Sequence, residues 1–308
     1  MSKTAPVSGV LLLNKPTGIT SNRALQISKR LLAATKAGHT GTLDPMAQGL
    51  LPICLGQATR FSSALLQADK TYVATMKLGY VSNTGDAEGV VEQLVDPHII
   101  SAKLDIQQVA DMVHTFLGRS SQIPPMYSAL KKDGKALYRY AREGITIARQ
   151  PREIFIHDIS LNAWNEKEMT ITVRCGSGTF IRTLAEDIAS KIGYKSAYLT
   201  ALNRIGIGPF GLAQACTLEQ LEQESQISRV RFLLPVDGLL QDMPCIMLDS
   251  QEVSQFRQGQ SIQKSTAANQ RPQGGMLRVY DENNHFLGLG AWQENNIFVP
   301  KKVLLAQV

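Results

Sequence analysis

Short segments of alternating or continuous apolar residues predict β-strands along the first two thirds of the chain. Val10–Leu13 is a continuous apolar run, whereas Thr71–Gly79 places apolar side chains at every second position, beginning with Tyr72. Glu153–Leu161 and Met169–Arg174 also have strand-like patterns and are separated by a polar connection. Because side chains alternate between the two faces of a strand, Thr71–Gly79 is predicted to bury one face.

Segments with helical periodicity lie between these strands. Ser21 is predicted to cap a helix that runs to about Ala34, and Asp105 caps a second amphipathic helix. A third helix begins at about Thr179, and Thr217 opens a capping box for a fourth. The apolar face predicted for the third helix consists of Ile181, Leu184, Ala185, Ile188 and Ile192. The chain therefore combines helices with strands.

The character of the sequence changes after Asp242, where short apolar segments alternate with polar turns. These apolar segments include Met276–Tyr280, His285–Ala291 and Ile297–Val299. Their spacing predicts a small antiparallel β-domain. The polar, glycine-rich segment Lys264–Gly275 is predicted to be a mobile loop within it.

Length and composition fit a large globular domain followed by a small one. The chain has 308 residues, of which 44% are apolar and 19% charged, so it can bury a sizeable core. No apolar run approaches the roughly 20 residues that a bilayer requires, and we expect neither a membrane span nor a signal peptide. The four cysteines are far apart, which favours a reducing compartment over a disulfide framework. The spacing of histidine and cysteine fits no metal site, so we predict none.

The positive charge is concentrated in one segment. The chain carries a net charge of +6, and eight basic residues against two acidic ones lie between Arg119 and Arg152. The remainder of the chain is therefore neutral. A localised excess of this kind favours a polyanionic partner such as a nucleic acid, although a solvated, lysine-rich insertion would have the same composition.

Two further stretches contain side chains suited to chemistry. Gly38–Pro45 is punctuated by glycines and is predicted to be neither helix nor strand. It contains Asp44 and His39, and a lone residue of either type in a loop is usually a turn or surface residue. Arg182 falls in the first turn of the third helix, where a cation opposes the helix dipole. That placement hints at a functional charge, although a surface arginine is the simpler interpretation.

The stretch from Gly38 to Arg60 as a whole resembles the catalytic motif of pseudouridine synthases of the TruB family, which modify uridine 55 in the T-arm of tRNA. Other motifs similar to those of this family occur in the same order over at least residues 9–210. They are Gly9–Ser21, Lys70–Tyr72, Asp86–Gly89, Gln122–Lys131 and Gly178–Leu184. Several spaced motifs in one order are more specific than any one of them.

This resemblance implies a fold and a division into domains. An α+β catalytic domain over 1–242 would contain a mixed, mostly antiparallel central sheet flanked by helices. A basic insertion at about 119–152 would clamp the RNA, and a PUA-like β-domain would occupy 243–308. The implied partner is tRNA, without a cofactor, a membrane or an obligatory protein partner, and we expect a cytoplasmic monomer.

The resemblance also assigns roles to residues around Asp44. Asp44 corresponds to the family's covalently acting aspartate, and Arg182 to the arginine that pairs with it. The cation would keep Asp44 ionised, because a neighbouring positive charge lowers the pKa of a carboxyl group. Tyr72 would stack on the target base, His39 would occupy the space that the flipped base leaves, and Leu202 would line the pocket.

Other residues are implied to hold the RNA. Lys131, Lys132 and Lys135 would bind phosphates. Phe180 stands where the family often has tyrosine, so ring stacking remains and a hydroxyl group is lost. The family's Leu-Arg-Arg motif is Leu-Asn-Arg here, which leaves Arg204 as the basic RNA contact.

Three alternatives remain open. An RNA-binding protein with an inactive site is disfavoured by the intact set of Asp44, Tyr72 and Arg182. A guide-dependent synthase with partner proteins is weakly disfavoured by the absence of long lysine-rich tails. A synthase for another RNA is the alternative that the motifs exclude least well. The residues do not decide whether Asp44 attacks the base or the sugar carbon.

Overall fold

A computed structural model describes residues 7–101, 104–264 and 275–304. The loop predicted at Lys264–Gly275 lies, apart from its two end residues, outside the described residues.

The part of the chain up to residue 234 contains the strands of a large sheet and two small hairpins. These strands are β1 (Gly9–Lys15), β2 (Ala37–His39), β3 (Gln48–Leu55), β4 (Lys70–Leu78), β5 (Tyr80–Ser82), β6 (Val91–Gln93), β7 (Gly118–Gln122), β8 (Lys131–Lys132), β9 (Lys135–Ala136), β10 (Arg152–Trp164), β11 (Glu168–Cys175), β12 (Ala197–Ile207), β13 (Phe210–Gly211) and β14 (Leu233–Leu234). β5 pairs with β6, and β8 pairs with β9.

The large sheet has the order β14-β1-β3-β12-β4-β11-β10-β7, with β2 beside β3 and β13 beside β12. Within this sheet the described pairs are antiparallel, except that β3 and β12 run parallel. The predicted mixed and mostly antiparallel sheet is therefore confirmed. On β4 the alternation places Ala74, Met76 and Leu78 in the core, as predicted.

Helices cover the large sheet. The α-helices are α1 (Ser21–Leu31), α2 (Pro97–Ser101), α3 (Ile106–His114), α4 (Leu137–Arg142), α5 (Ile181–Lys191) and α6 (Leu218–Gln223), and short 3-10 helices span Gly56–Leu65, Leu212–Gln214, Ser228–Phe232 and Gly238–Leu240. The apolar face predicted for α5 is buried along its length. None of the helices in the described part of the chain has the length and apolarity that a membrane span requires.

The start of α1 differs from the prediction in a way that concerns the Asp44 loop. Thr20, not Ser21, is the N-cap, because Thr20 keeps an extended backbone and its side chain accepts a hydrogen bond from the Arg23 amide at 3.1 Å. Ser21 Oγ instead accepts from the Leu43 amide at 2.8 Å and donates to the Leu43 carbonyl at 2.9 Å. Ser21 therefore ties the residue before Asp44 to α1.

The glycine-rich stretch before Asp44 was predicted to lack regular structure, which is wrong for its first residues. Ala37–His39 forms β2, because these residues find an edge position beside β3. At the start of β3, Gly49 has a φ of +107°, and a Cβ atom there would lie 2.3 Å from the carbonyl oxygen of Arg204. The parallel approach of β3 and β12 beside the Asp44 loop therefore requires a glycine at this position.

The basic segment leaves the large sheet between β7 and β10, which pair with each other. Between them, β8 and β9 form a hairpin whose turn is Asp133–Gly134, with φ values of +50° and +78°. An Asp-Gly pair in this conformation is the sequence preference of a two-residue hairpin turn. The hairpin leads into α4, so the lysines of this segment are carried on a short projecting element, here called the basic hairpin (Lys131–Ala136).

The C-terminal part contains β15 (Cys245–Leu248), β16 (Ile262–Gln263), β17 (Leu277–Asp281), β18 (Phe286–Trp292) and β19 (Ile297–Val303), together with α7 (Ser250–Arg257) and a 3-10 helix at Glu294–Asn296. The strand order is β15-β17-β18-β19-β16. The prediction of an antiparallel sheet is wrong for β15 and β17, which run parallel. The connection between these two strands includes α7, which makes the parallel pair possible. The four residues of β15 are too few to have been predicted as a strand from the sequence.

The small sheet packs against the 3-10 helix that follows β3. The Phe61 and Phe286 rings meet edge to face with their centroids 5.5 Å apart. Arg60 donates to the carbonyl of Val303 at 2.8 Å, and Lys302 donates to the carbonyl of Arg60 at 2.8 Å. The element that follows β3 therefore connects the two sheets.

Replacing Ser21 with alanine is expected to destabilise the protein by about 1–3 kcal/mol, because the buried Leu43 amide loses its partner. Urea unfolding measures the loss. Ser28→Ala is the matched control, since Ser28 is also buried and its Oγ donates to the Ala24 carbonyl of its own helix at 3.0 Å. Equal losses in the two variants would contradict a special role for the contact between Ser21 and Leu43.

Candidate active site

Asp44 lies in the loop between β2 and β3, which backbone hydrogen bonds hold from both sides. The Pro45 carbonyl accepts from the Gly18 amide at 2.8 Å, and the Asp44 carbonyl accepts from the Ala47 amide at 3.1 Å. Together with Ser21, these bonds fix the loop against the turn that follows β1. The Asp44 side chain remains 37% exposed, so a ligand can reach it.

Arg182 is the second residue of α5 and lies beneath this loop. Its side chain is 8% exposed, and Nη2 lies 3.1 Å from Asp44 Oδ2. Nη1 donates to the Thr84 carbonyl at 2.6 Å, and Nη2 donates to the Tyr127 carbonyl at 2.7 Å. The arginine singled out for its position against the helix dipole is thus a buried partner of Asp44 and not a surface residue.

A second carboxylate, which the sequence analysis did not assign to the site, lies on the other side of Arg182. Asp86 Oδ2 is 3.9 Å from Arg182 Nη1, and the residue is 3% exposed. Its Oδ1 accepts from Thr84 Oγ1 at 2.6 Å and from the Glu88 amide at 3.1 Å. Its place in the Asp86–Gly89 motif was the available signal, but the resemblance assigned no role to that motif.

The electrostatics of Asp44 differ from the expectation. Burial raises the pKa of the Asp44 carboxyl above its ordinary value, and the neighbouring Asp86 acts in the same direction. Arg182 and, more weakly, Lys15 lower the pKa. The expected effect of Arg182 is therefore present, but the loss of solvation outweighs it.

A cavity of about 320 Å³ opens beside this ion pair. It brings together the predicted residues Asp44, Tyr72, Phe180, Arg182 and Leu202. Its remaining lining consists of Thr42, Leu43, Ser128, Ala129, Leu130, Thr179 and Ile181. Two aromatic rings and several aliphatic side chains thus surround one carboxylate and one guanidinium, an arrangement that suits a flat, partly polar ligand.

Phe180 is the N-cap residue of α5, and a side chain of β7 holds its backbone in place. Gln122, which is 3% exposed, donates through Nε2 to the Phe180 carbonyl at 3.1 Å. Its Oε1 accepts from the Phe180 amide at 2.8 Å. This reciprocal pair fixes the backbone that carries the ring, a role of Gln122 that no pattern in the sequence indicated.

His39 lies outside the residues that line the cavity. It pairs with Ile53 across β2 and β3, and its ring is half-buried. Burial lowers the pKa of its imidazole, and the positive charge of Arg204 acts in the same direction. The neutral ring is therefore favoured beside the loop that contains Asp44.

The lysines of the basic hairpin are not equivalent. Lys131 and Lys132 are exposed. Lys135 instead forms an ion pair with Glu143 at 2.5 Å, and its ammonium lies 4.4 Å from the centre of the Tyr140 ring. Because Lys135 already has an anionic partner, it is less available for a phosphate than the sequence predicted.

The structure contradicts the prediction that Arg204 contacts RNA. Arg204 is 2% exposed on β12, and its Nε donates to the Leu50 carbonyl at 2.8 Å. Its Nη1 donates to the Thr42 carbonyl at 3.4 Å. A guanidinium enclosed among backbone carbonyls cannot reach a phosphate on the surface, and the sequence pattern could not show this burial.

Lys15 is a further charged residue that the sequence analysis did not connect with the site. It is 0% exposed, and its Nζ donates to the carbonyls of Pro16 and Ile19 at 2.8 Å each. The Pro45 carbonyl, next to Asp44, lies 3.4 Å from the same nitrogen. Burial lowers the pKa of Lys15 to about 8, although the negative charge of Asp44 opposes this.

All four cysteines are free thiols. Over the ranges that the structure describes, no group of three or more histidine, cysteine, aspartate or glutamate side chains is placed to hold a metal ion.

The fold matches that of chains in two solved complexes. One belongs to a Cbf5-Nop10-Gar1 complex, with a TM-score of 0.70 and 24% identity over 97% of this chain and 85% of that chain. The other belongs to an archaeal box H/ACA sRNP Nop10-Cbf5 complex, with a TM-score of 0.68 and 22% identity over 97% and 86%. These similarities concern the shared fold.

Sequence comparisons place the chain among the pseudouridine synthases. The family profile described as TruB family pseudouridylate synthase, N-terminal domain, matches residues 29–181, and the profile described as pseudouridine synthase II TruB, C-terminal, matches residues 244–304. Curated relatives named tRNA pseudouridine synthase B include one from Nitrosomonas europaea, 59% identical over 95% of this chain and 94% of the relative. Another, from Nitrosospira multiformis, is 48% identical over 97% and 96%. The chain belongs to the TruB family, which confirms the resemblance predicted from its motifs.

Because Lys15 is buried, we expect the stability of the protein to depend on pH in the alkaline range. Its pKa in the folded protein, about 8, lies below the ordinary value of 10.5, so the unfolded chain binds more protons between these two values. The contribution of Lys15 to stability should therefore rise by at most about 3 kcal/mol as the pH increases through this window. The buried thiols of Cys54, Cys175 and Cys216, whose pKa values are raised, act in the opposite direction.

Urea unfolding as a function of pH measures the difference in stability between the wild type and Lys15→Met, which should grow in favour of the wild type across this window. Lys15→Met should also be less stable at neutral pH. Lys36→Met, at an exposed lysine, is the matched control and should retain the wild-type slope. The same slope in the wild type and in Lys15→Met would show that Lys15 does not contribute.

Proposed function

We propose that this protein converts uridine 55 in the T-loop of tRNA to pseudouridine in the cytoplasm. The observation that carries the proposal is the ion pair between Asp44 and Arg182, which opens onto a cavity lined by Tyr72, Phe180 and Leu202. The names of the relatives from Nitrosomonas europaea and Nitrosospira multiformis support tRNA as the substrate.

Asp44 is the nucleophile in this proposal. Its carboxylate attacks either the base or the sugar carbon, the glycosidic C–N bond breaks, and the uracil turns within the cavity. A bond then forms between C5 and C1′, C5 loses its proton, N1 acquires one, and Asp44 is released. Arg182 orients the carboxylate and opposes the rise in pKa that burial causes, so that the ionised form is available to react.

The cavity receives the uracil after the base has left the RNA stack. Extruding a base costs a few kcal/mol, and stacking against aromatic and apolar walls offsets part of this cost. Tyr72 and Phe180 supply rings, and Leu202 supplies an aliphatic contact. His39, beside the same loop, occupies the space that the base leaves in the RNA.

The basic hairpin binds phosphates of the RNA backbone next to this cavity. Lys131 and Lys132 are exposed on it, and Leu130, directly before Lys131, lines the cavity itself. Binding at the hairpin therefore brings phosphates close to the reacting base. We assign catalysis to residues 1–242 and a PUA-like RNA contact to residues 243–308.

We propose that the protein acts as a monomer without an obligatory protein partner. The two complexes with a similar fold contain Nop10, and one also contains Gar1, so a partner-dependent synthase is the alternative. Activity of the purified chain alone distinguishes the two.

Replacing Asp44 with asparagine should abolish isomerisation while tRNA affinity is retained, because the side chain keeps its shape and loses its nucleophilic charge. The assay uses purified protein and an unmodified tRNA transcript with tritium at uridine C5, and it follows tritium release. Wild-type protein should release one tritium per tRNA, from the T-loop uridine. Asp242→Asn, at an exposed aspartate outside the site, is the matched control.

Filter binding of the same transcript distinguishes a loss of catalysis from a loss of RNA binding. If binding is lost together with activity in Asp44→Asn, Asp44 is a structural residue. If the wild-type protein binds the transcript and releases no tritium, the substrate is another RNA or the protein only binds RNA.

Neutralising Lys131 and Lys132 together should weaken tRNA binding and flatten its salt dependence, by about one unit of slope for each lost phosphate contact. Lys135→Gln should change the slope less, because Glu143 already neutralises Lys135. Dissociation constants measured over a range of salt concentrations test both statements. An unchanged slope in the double variant would remove the basic hairpin from the interface.

A further inference from the structure

The eight basic residues of the segment from Arg119 to Arg152 differ in what they contact. Four of them already pair with a glutamate or contact a tyrosine side chain: Arg119, Lys135, Arg139 and Arg142. The other four form no ion pair within the described part of the chain: Lys131, Lys132, Arg149 and Arg152. The unpaired positive charge of the segment is therefore carried by these four side chains.

The four unpaired cations line one cavity of about 170 Å³ beside the basic hairpin. This cavity is here called the cationic pocket (Lys131, Lys132, Arg149 and Arg152). No carboxylate is among the described residues that line it. Pockets for whole small molecules measure roughly 300–1,000 Å³, so the cationic pocket suits a compact anion.

The guanidinium of Arg149 is fixed in a way that leaves donors unused. Its Nη1 donates to the Pro124 carbonyl at 3.1 Å, whereas its Nε is buried without a hydrogen-bond partner among the described residues. The amide of Ile147 donates to the Met126 sulfur at 3.5 Å, which holds the chain next to Arg149. Nε and Nη2 lie on one edge of a guanidinium and form the fork that receives two oxygens of a phosphate.

A nearby carboxyl group does not neutralise Arg149. Burial raises the pKa of Glu186, on α5, to about 7, and this effect outweighs the lowering caused by Arg182 and Arg149. About half of the Glu186 side chains are therefore protonated near neutral pH. An unpaired cation with a buried, unused donor is costly, and a bound anion would remove both costs.

The cationic pocket adjoins the cavity that contains Asp44. Leu130 lines both. An anion in the pocket thus lies about one side chain away from a base in the cavity. A strand of RNA whose base enters the cavity carries phosphates on both sides of that base, so it supplies an anion at this distance.

We propose that the cationic pocket binds one phosphate of the RNA strand, beside the uridine that enters the Asp44 cavity. The Nε and Nη2 edge of Arg149 donates to two phosphate oxygens, and the other three cations supply charge. A phosphate held at one place positions the extruded nucleotide, which a diffuse positive surface does not. The inference rests on the proposed function, since it assigns a subsite for that substrate.

The test pairs changes in the protein with changes in the RNA. T-arm stem-loops are synthesised with one uncharged methylphosphonate linkage each, on a 2′-deoxy sugar, and the same deoxy sugar with an ordinary phosphate is the reference. Filter binding gives dissociation constants for the wild type, Arg149→Gln and Arg149→Lys.

One linkage beside the target uridine should weaken wild-type binding about tenfold or more when it is neutralised. The same linkage should have almost no further effect in Arg149→Gln, because the two changes remove one interaction. Arg149→Lys should retain part of the effect, since it keeps the charge without the fork.

Arg119→Gln is the matched control, because Arg119 belongs to the same segment, pairs with Glu153 and lies outside the pocket. Its effect should add to that of every linkage. If Arg149→Gln fails to fold, the same series with Arg152→Gln decides. Additive effects at every linkage would overturn the inference and leave the pocket as a source of diffuse charge.

Two further results identify the ligand and separate this inference from the proposed function. If no linkage shows the coupling, but inorganic phosphate at matched ionic strength raises the melting temperature of the wild type and not of Arg149→Gln, the ligand is free phosphate and the inference is wrong. A wild type that shows the coupling and releases no tritium would overturn the proposed function alone. A wild type that does not bind the stem-loop would overturn both.

Discussion

The site depends on one buried guanidinium whose donors are shared among three other segments of the chain. Arg182 projects from α5 and contacts the loop of Asp44, the turn of Thr84 and Asp86, and Tyr127 in the segment that leads to the basic hairpin. Directional bonds to both carbonyls and carboxylates leave a planar guanidinium little freedom to move. The position of Asp44 relative to the cavity is therefore set by segments that are far apart in sequence.

Burial shifts the pKa values of the ionisable groups around the site. Removal from water raises the pKa of both Asp44 and Tyr72, and it lowers that of Lys15. Arg182 and Arg204 supply the opposing positive charge from beneath the loop and from the sheet. Fixed charges in a site with little water act more strongly than they would in solvent, so small displacements of these arginines change reactivity.

The sequence predicted those parts of the molecule that depend on repeated apolar spacing or on a recognised motif. The buried face of α5, the strand at Tyr72 and the convergence of Asp44, Tyr72 and Arg182 belong to these parts. The predicted roles of Ser21, as an N-cap, and of Arg204, as an RNA contact, were wrong for a common reason: each side chain bonds to backbone groups of a distant segment. A side chain whose partner is a backbone carbonyl leaves no pattern in the sequence, because every residue has such a carbonyl.

The parallel pair of β3 and β12 has a consequence for how the protein acquires its structure during synthesis. The bonds of Arg204 to Leu50 and Thr42 span 154 and 162 residues. Contacts between such distant segments form late, because a long loop must close before they contribute. A ribosome must therefore complete β12 before Arg204 can add its two bonds to the chain on either side of Asp44. The nascent chain can expose its basic hairpin to RNA well before it has an ordered site.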